Sequence, residues 1–396
     1  MPSKQSAVLA GIRVLDFTSM IAGAYCTRLL ADLGAEVIKC EPLSGDYVRV
    51  PAPLRDGKSA YFAHLNCGKK SLCLDLKRPE ARELVAGLAA QSDVVVENFR
   101  PGVMQRLGLD YETLAELKPD IVYCAITGYG QSGPDAGLPA YAPIVHAASG
   151  YDLANMEHQD NLERPLRTGL YVADYFSGMT AAGGIQGALL HRERTGQGQA
   201  VDVALMDNML SMLVYQVLQE QFSFDGPLML YAPSPTRDGY VIVMPLTQAN
   251  FVALAEVTDH PEWLNDPRFA DFAERQRNWD ELMLLIDQWT ATRSSEECEA
   301  LISEAGCPIS RYKTVGQAIT SAQSRYRGVM AEVDDGAGPV QVVNAPWRLS
   351  HSPVAAQPWV SEVGQHTREL LCDLLGYSPQ RVTELAQQGV LIAADE

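Results

Sequence analysis

The chain has 396 residues, of which 47% are hydrophobic and 20% are charged, so its composition is that of a globular protein. A length of this kind exceeds one ordinary hydrophobic core and predicts two or three domains. The formal net charge of −18 argues against nucleic acid or an anionic membrane as a partner, because both are polyanions.

Strand-like and helix-like segments alternate along the first 130 residues. The apolar runs that we predict as strands lie at 12–18, 35–41, 71–76, 93–99 and 121–130. Apolar residues at helical spacing fill the intervals, as in 79–91, where Pro79 suits a first helical turn. Strands that alternate with helices of this length imply parallel βαβ units. We therefore predict an α/β fold with a large doubly wound, Rossmann-like domain.

The later part of the chain changes character. Residues 172–194 predict one long helix, which a strand and another long helix follow. Between about 225 and 325 the composition shifts towards Asp, Glu and Trp, which indicates a smaller α/β domain. A strand at 338–350 is predicted to return to the large domain, and two helices close the chain. The predicted domains are 1–220 for the start of the large domain, 225–330 for the small domain and 331–396 for the return.

Eight scattered cysteines form no CxxC pair, so we expect reduced, buried thiols in a cytoplasmic protein. The first residues contain no sustained apolar segment of the kind found in secretory signals. No apolar run approaches the ~18 residues that span a bilayer, and no motif spacing suggests a metal site. His146 and His191 lie in apolar or helical surroundings, where structural histidines are more common than catalytic ones.

Asp174 stands at the start of the long predicted helix, whose body is unusually rich in Gly, Ala and Ser. A carboxylate in that position stays ionised because free backbone N–H groups and the helix dipole favour its charge. The small residues that follow allow other backbone to approach closely, as in a tight, dry pocket. From the residues alone, a helix cap is the more common explanation, and a reactive carboxylate is the alternative.

Basic residues fall near the predicted strand ends on one side of the sheet. They are Lys69, Lys70, Lys77, Arg100 and Arg106. Ligands of open α/β sheets bind beyond the carboxyl ends of the strands, and Asn98 and Phe99 directly follow one of them. A nucleotide contact and an ordinary solvated surface explain these residues equally well. The loop at 128–134 matches neither GxGxxG nor a Walker A sequence.

Taken together, an ordered set of stretches carries a more specific signal than any of these features. The stretches are 9–49, 69–85, 92–114 (SDVVVENFRPGVMQRLGLDYETL), 126–134 (ITGYGQSGP) and 173–210 (beginning ADYFSGMTAAGG), with APWRLSHSP and LLGYSPQRVTELAQQGVL near the end. In this order they resemble one family, the family III CoA-transferases typified by formyl-CoA transferase and carnitine CoA-transferase, which also includes α-methylacyl-CoA racemase. The resemblance implies a large doubly wound domain, a small domain and an interlocked homodimer.

Carried over position by position, the resemblance makes Asp174 the catalytic nucleophile. It places Leu74, Lys77, Asn98, Phe99 and Arg106 at positions that contact CoA in formyl-CoA transferase. Two departures stand out, because Pro42 replaces an adenine-contacting arginine and Pro139 replaces a lysine. CoA is a polyanion and this chain has a strongly negative net charge, so other basic residues must contribute to the CoA site. The candidates are Lys39, Arg49 and Arg100.

The segment 139–150 separates transferases from racemases of the family. Tyr141 aligns with the second acid/base histidine of the racemases, and a tyrosine with a free pKa near ~10 is a poor partner for two-base racemisation. We therefore place Tyr141 among the substrate-binding residues. Ala142 and Ile21 replace a glutamate and a glutamine of formyl-CoA transferase, which disfavours oxalate as the acceptor. The segment is most similar to the subgroup that acts on dicarboxylates such as succinate, citramalate or mesaconate.

The resemblance thus implies transfer of CoA from an acyl-CoA to a carboxylic acid through an aspartyl-CoA thioester, with CoA as substrate and without a prosthetic group or metal. Arg49 and Arg167 are candidates to orient the distal carboxylate of a dicarboxylate. Three alternatives remain: a 2-methylacyl-CoA racemase, a nicotinamide-dependent dehydrogenase and a non-catalytic CoA-binding subunit. The absence of GxGxxG after the first strand weighs against the dehydrogenase, and the intact Asp174 segment weighs against the non-catalytic subunit.

Overall fold

The computed structural model describes residues 6–157, 159, 162–165, 168–222 and 231–394. It contains two compact units. One holds the described residues up to Val217 together with those from Ser324 onward, and the other holds the described residues of Leu218–Gln323. Within these residues no helix is both long enough and apolar enough to cross a membrane.

Strands and helices alternate through the first part of the chain. The strands are β1 (Arg13–Asp16), β2 (Glu36–Glu41), β3 (Leu54–Arg55), β4 (Lys58–Ser59), β5 (Lys69–Leu74), β6 (Val94–Glu97), β7 (Val122–Thr127) and β8 (Gln199–Ala204). The helices are α1 (Ala22–Asp32), α2 (Ala60–Asn66), α3 (Pro79–Ala89), α4 (Val103–Leu107), α5 (Tyr111–Leu117), α6 (Ala142–Ala148), α7 (Tyr151–Glu157), α8 (Val172–Thr195), α9 (Leu205–Met212) and α10 (Val214–Gln219).

The remaining elements follow in chain order. The strands are β9 (Ser234–Thr236), β10 (Gly239–Val243), β11 (Ile309–Arg311), β12 (Met330–Asp334), β13 (Pro339–Val343) and β14 (Leu391–Ile392). The helices are α11 (Gln248–Val257), α12 (Phe272–Arg277), α13 (Trp279–Thr290), α14 (Ser295–Glu304), α15 (Val315–Ile319), α16 (Ala322–Arg327), α17 (Thr367–Leu375) and α18 (Pro379–Gln387). Short 3₁₀ turns span Tyr47–Arg49, Pro261–Asn265 and Pro267–Phe269.

The central sheet has seven strands in the order β14-β5-β2-β1-β6-β7-β8. Six strands are parallel to their neighbours, and β14 alone runs antiparallel beside β5. Val14 of β1 pairs with Val37 on one side and with Val94 on the other. The chain winds in opposite directions on the two sides of β1, so the strand order reverses between β1 and β6.

Helices cover both faces of this sheet. One buried cluster joins the sheet to α1 and α8, and a second joins it to α3, α5, α17 and α18. Parallel strands that are buried on both faces need continuous apolar runs, which explains the fully buried Val94–Val96. At Gly178 of α8, a Cβ atom would lie 2.6 Å from the carbonyl oxygen of Ala22, so only glycine permits this close approach to α1.

The last part of the chain supplies two strands that pair in different ways. The strand expected within 338–350 is β13, which pairs antiparallel with β12 and not with the central sheet. The strand that joins that sheet is β14, whose Leu391 pairs with Leu74 of β5. The long helix expected after β8 is divided at Leu213 into α9 and α10.

The second unit has a core of its own. Its three-stranded antiparallel sheet, in the order β11-β10-β9, packs with helices around Phe251, Trp279 and Ile286. Seven of the eight cysteines in the chain are buried and Cys372 is partly exposed, and all are free thiols, as the sequence predicts. Among the described residues no group of three or more His, Cys, Asp or Glu could hold a metal ion.

Candidate functional site

Asp174 lies in the first turn of α8 and is half-buried. Tyr171 precedes the helix and provides no side-chain cap. In the described part of the chain, the Asp174 carboxylate accepts no hydrogen bond and pairs with no cation. Burial raises its pKa from 3.8 to about 6. A carboxylate without partners, desolvated yet still ionised near neutrality, is suited to nucleophilic attack.

Aromatic side chains and a small apolar cluster surround this carboxylate. The ring of Tyr175 packs edge-on against Tyr25 of α1, with 4.9 Å between centroids. Tyr61 of α2 joins them, together with buried Ile21 and Leu65. The Tyr61 hydroxyl is near enough to Tyr175 for the two to affect each other's pKa, but it makes no hydrogen bond of good geometry with any described residue. Asp174 lies near enough to Tyr61 and Tyr175 to contribute to the raised pKa of both hydroxyls.

A histidine from another helix contacts the same turn of α8. His146 of α6 is fully buried, and its Nε2 accepts the backbone N–H of Ala173 at 3.0 Å. The local sequence predicts a structural role for His146, since nothing in it indicates a contact with a residue 27 positions away. Tyr141 begins the same helix and is exposed; five residues of helix place it about 8 Å along the axis from His146.

The raised pKa of Asp174 predicts a pH-dependent stability difference. Since the folded-state pKa of about 6 lies above the ordinary value of 3.8, the ionised group opposes folding, and this cost disappears as the pH falls from 6 towards 4. We expect Asp174→Asn to be more stable than the wild type at about pH 8, by on the order of 2 kcal/mol, with a gap that narrows in acid. Urea unfolding across this pH range measures the gap.

Asp207 supplies the matched control for that measurement. It is an exposed carboxylate in the first turn of α9, the same position in the helix that Asp174 has in α8. Asp207→Asn changes an exposed side chain, so it should alter the free energy of unfolding by less than about 0.5 kcal/mol. Equal stability of Asp174→Asn and the wild type at every pH would contradict the raised pKa.

The residues carried over as CoA contacts lie at the carboxyl edge of the central sheet. Leu74 ends β5 and is buried, and Lys77 is exposed three residues later. Asn98 and Phe99 follow β6, and Arg106 is exposed on α4. Two strands, β2 and β1, separate β5 from β6, which corresponds to about 14 Å. The structure thus places the five residues on one edge, in two groups.

Asn98 fixes the loop between β1 and α1. Its Oδ1 accepts the backbone N–H of Ser19 at 2.9 Å, and its Nδ2 donates to the carbonyl oxygen of Ser19 at 2.7 Å. Phe99 donates its backbone N–H to buried Glu97, whose pKa rises to about 7 through burial. Lys77 and Arg106, like Arg100, form no ion pair with any described residue, so they present free positive charge at this edge.

Two of the proposed substitute cations are already engaged. Lys39 is buried, pairs with Asp46 at 2.7 Å and donates to the carbonyl oxygen of Thr18. Arg49 binds Glu41 through two nitrogens and donates its third to the carbonyl oxygen of Ser361. The suggestion that Lys39 or Arg49 replaces a missing CoA contact is therefore corrected, and so is the assignment of Arg49 to the distal carboxylate. Arg167 lies outside the described residues.

The buried charges form a network beneath the loop that carries Ile21. Asp16 accepts the side-chain hydroxyls of Thr18 and Thr27 and pairs with Lys69 at 3.1 Å. Burial lowers the pKa of Lys69 to about 8, and Asp16 only partly offsets this. Lys70 is engaged as well, with Glu36 and Glu369. The sequence does not indicate these contacts, because only the one between Asp16 and Thr18 is local. The others join residues that lie in different helices or strands.

Two backbone N–H groups of the glycine-containing loop after β7 already donate hydrogen bonds within the protein. Gly130 donates its backbone N–H to Thr127 and Gln131 donates its own to Asp202, both at 3.0 Å. The first turn of α8, which is adjacent to Asp174 in the chain, also contains backbone N–H groups that have no partner within the helix.

Comparison with known proteins now decides the family. Residues 9–367 match the family described as CoA-transferase family III. The chain belongs to CoA-transferase family III. It is accordingly an enzyme that transfers CoA between an acyl-CoA and a carboxylate, with CoA thioesters as substrates and no prosthetic group.

Curated relatives of this family III CoA-transferase share about a third of its residues. Succinyl-CoA:glutarate CoA-transferase of Mus musculus is 31% identical, with 97% of this chain and 90% of that protein covered. Succinyl-CoA–D-citramalate CoA-transferase of Chloroflexus aurantiacus is 32% identical, with 97% and 98% covered. Formyl-CoA:oxalate CoA-transferase of Bradyrhizobium sp. is 32% identical, with 97% of each covered. The expected family is thus confirmed.

Solved structures agree with this assignment. A mutant of Rv3272 from Mycobacterium tuberculosis superposes with a TM-score of 0.85 at 28% identity, covering 94% of this chain and all of that one. A CAIB/BAIF family protein from Brucella suis gives a TM-score of 0.81 at 31% identity, covering 93% and 100%. The mixed α/β architecture built on a mainly parallel sheet is therefore shared with this family.

Proposed function

We propose that this CoA-transferase moves CoA from succinyl-CoA to a small dicarboxylate through covalent intermediates on Asp174. The observation that carries the proposal is the Asp174 carboxylate itself, half-buried, unpartnered within the described residues and ionised at neutral pH. The succinyl-CoA donor is inferred from relatives named for glutarate and D-citramalate transfer. An apolar, aromatic wall protects the reactive intermediates from hydrolysis.

The proposed chemistry proceeds in four acyl exchanges. A carboxylate oxygen of Asp174 attacks the thioester carbonyl, the C–S bond breaks, and a mixed anhydride and CoA thiolate form. The thiolate then attacks the aspartyl carbonyl, which releases the donor acid and leaves an aspartyl-CoA thioester. The acceptor carboxylate attacks that thioester, expelling the thiolate and forming a second anhydride. The thiolate finally takes the acceptor's acyl group and regenerates the Asp174 carboxylate.

The carboxyl edge of the sheet is proposed to hold the nucleotide end of CoA. Lys77, Arg106 and Arg100 supply unpaired positive charge for its phosphates, and this local patch offsets the net charge of the chain. Partly buried Phe99 provides apolar surface beside it, buried Leu74 belongs to the core against which Phe99 packs, and Asn98 shapes the adjoining loop. The strand order 3-2-1-4-5-6 of the parallel strands supports the Rossmann-like interpretation, in which ligands bind beside the first strand.

A homodimer is proposed from the surface of α8, α9 and α10. The exposed positions of α8 between Met179 and Leu190 carry no charged residue, and Met179 and Leu190 themselves are exposed apolar side chains. Met212, Val214 and Tyr215 are exposed beyond it. Apolar surface of this extent usually marks a protein interface, which supports the interlocked dimer of the family.

Tyr141 is proposed to contact the acceptor acid from the start of α6. The cytoplasmic location stays a prediction.

An acceptor screen tests the proposed function. The enzyme is mixed with succinyl-CoA and, separately, with glutarate, citramalate, oxalate and formate, and new acyl-CoA species are measured by mass spectrometry. We expect transfer to glutarate or citramalate and much less to oxalate or formate. Monomethyl glutarate is the matched control, because it keeps one carboxylate and removes the distal charge, and its transfer should be slower.

Two outcomes of the screen would overturn the proposal. Equal transfer to glutarate and its monomethyl ester would show that the enzyme does not recognise the second carboxylate, which would contradict the proposed dicarboxylate specificity. Absence of transfer to every acid, combined with deuterium uptake at the α-carbon of a 2-methylacyl-CoA, would instead establish the racemase, which the transferase names of the relatives do not favour.

A further inference from the structure

Helix α8 begins without a cap from its own sequence. The first four N–H groups of a helix lack partners within it, and neighbouring Ser, Thr, Asp or Asn side chains usually accept from them. Tyr171 occupies the capping position here and makes no such bond. The partner of the Ala173 N–H is instead the imidazole of His146, which belongs to α6. The turn that carries Asp174 is therefore held by tertiary structure.

The bond determines the protonation state of that imidazole. A backbone N–H can only donate, so Nε2 of His146 must carry a lone pair and the proton of the neutral ring must reside on Nδ1. Nδ1 is buried and has no hydrogen-bond partner in the described structure. Burial lowers the pKa of His146, with Asp152 of α7 opposing this, so the neutral ring is maintained at physiological pH.

The same ring is fixed on its other side. His146 is fully buried in the cluster that joins α6, α8 and the central sheet, and the ring of Tyr151 packs against it at 5.2 Å between centroids. A ring so enclosed cannot move away from Ala173 without disturbing α6. A buried Nδ1 donor without a hydrogen-bond partner costs free energy. The presence of His146 despite this cost points to a role beyond packing.

We propose that His146 is a positioning residue for the transfer reaction: its Nε2 fixes the Ala173 N–H and thereby aims the adjacent Asp174 carboxylate at the thioester. The inference rests on the proposed function, in which Asp174 is the nucleophile. The imidazole itself touches neither substrate nor the reacting atoms. Its loss should slow formation of the covalent adduct and leave CoA binding unchanged, because displacement of a nucleophile by a fraction of an ångström affects the reaction and not the distant nucleotide site.

The test compares two replacements of similar size. His146→Gln keeps an acceptor, Oε1, at about the position of Nε2, and His146→Met removes it. After mixing with succinyl-CoA without acceptor, the rate of appearance of the CoA-bearing protein is followed by intact-mass measurement. We expect His146→Gln to react within about 3-fold of the wild type, and His146→Met to react about 10- to 100-fold more slowly with the same affinity for CoA.

The outcomes separate this inference from the proposed function. Adduct formation by His146→Met at the wild-type rate, or equal slowing of both variants, would overturn the positioning role while Asp174 remained the nucleophile. Adduct formation by Asp174→Ala would instead contradict the proposed function. If His146→Met does not fold, His146→Asn replaces it, because its shorter side chain withdraws the acceptor from Ala173 and preserves polarity; a rate equal to that of His146→Gln would again overturn the role.

Discussion

Replacement of Asp174 by alanine or asparagine is expected to lower the rate of CoA exchange by at least about 10³-fold, because no other group can form the covalent intermediate. Wild-type protein mixed with succinyl-CoA alone should gain the mass of CoA less one water, held in a hydroxylamine-sensitive bond, and neither variant should. The carboxylate is the reactive form, so the wild-type rate should also fall as the pH drops through about 6.

Controls make this result specific to one carboxylate. Asp207→Asn changes an exposed carboxylate in the corresponding turn of α9 and should retain wild-type exchange. CoA affinity of the Asp174 variants, measured by calorimetry, should be unchanged, because the free cations at the carboxyl edge are intact. Exchange at nearly the wild-type rate in both Asp174 variants would falsify the assignment of the nucleophile.

The sequence predicts much of this fold because the central strands are buried on both sides. A run such as Val94–Val96 leaves no polar alternative, so its burial and its strand conformation follow from composition alone. Strand β14 shows the limit of the approach. Two residues, Leu391 and Ile392, contain no periodicity, and their strand exists only because β5 has an unpaired edge more than 300 positions earlier in the chain.

The candidate site was accessible from the sequence only where a motif carried it. Asp174 is identified through the ordered resemblance, since its local sequence alone favours a helix cap. Lys39 and Arg49 are candidates for CoA contacts in the sequence because a sequence shows charge but not its partners. The acidic residues Glu41 and Asp46, only a few positions away in the sequence, are consistent with the internal ion pairs that these cations form. His146 could not be recognised at all without the fold that brings α6 to α8.

The buried charges around Asp16 lead to the second prediction. Asp16, Glu41 and Asp46 face Lys39, Lys69 and Arg49, so three negative and three positive groups cancel within a largely dehydrated region. Burial acts to raise the pKa of Asp16, but Lys69 and Lys39, together with the hydrogen bonds from Thr18 and Thr27, hold this pKa below its usual value. The ionised carboxylate therefore contributes stability, which is present above the unfolded-state value of 3.8 and is lost as the pH falls through the folded-state pKa.

Asp16→Asn keeps the shape of the side chain and leaves an uncompensated positive charge in the network. We expect a loss of about 3–5 kcal/mol in the free energy of unfolding, the usual result when one member of a buried pair is removed. Exposed Asp373 on α17 provides the control, and Asp373→Asn should change stability by less than about 0.5 kcal/mol. Urea unfolding followed by circular dichroism measures both variants under the same conditions.

A double replacement distinguishes charge imbalance from the loss of hydrogen bonds. Combining Asp16→Asn with Lys69→Met removes one charge of each sign. The double variant should therefore lose less free energy of unfolding than the sum of the losses in the two single variants. Strict additivity would mean that the threonine contacts of Asp16, and not its pairing with Lys69, account for the loss. Because the same network supports the loop that leads to Ile21 beside Tyr175, the single variant should also slow CoA transfer, and the double variant should recover part of that rate.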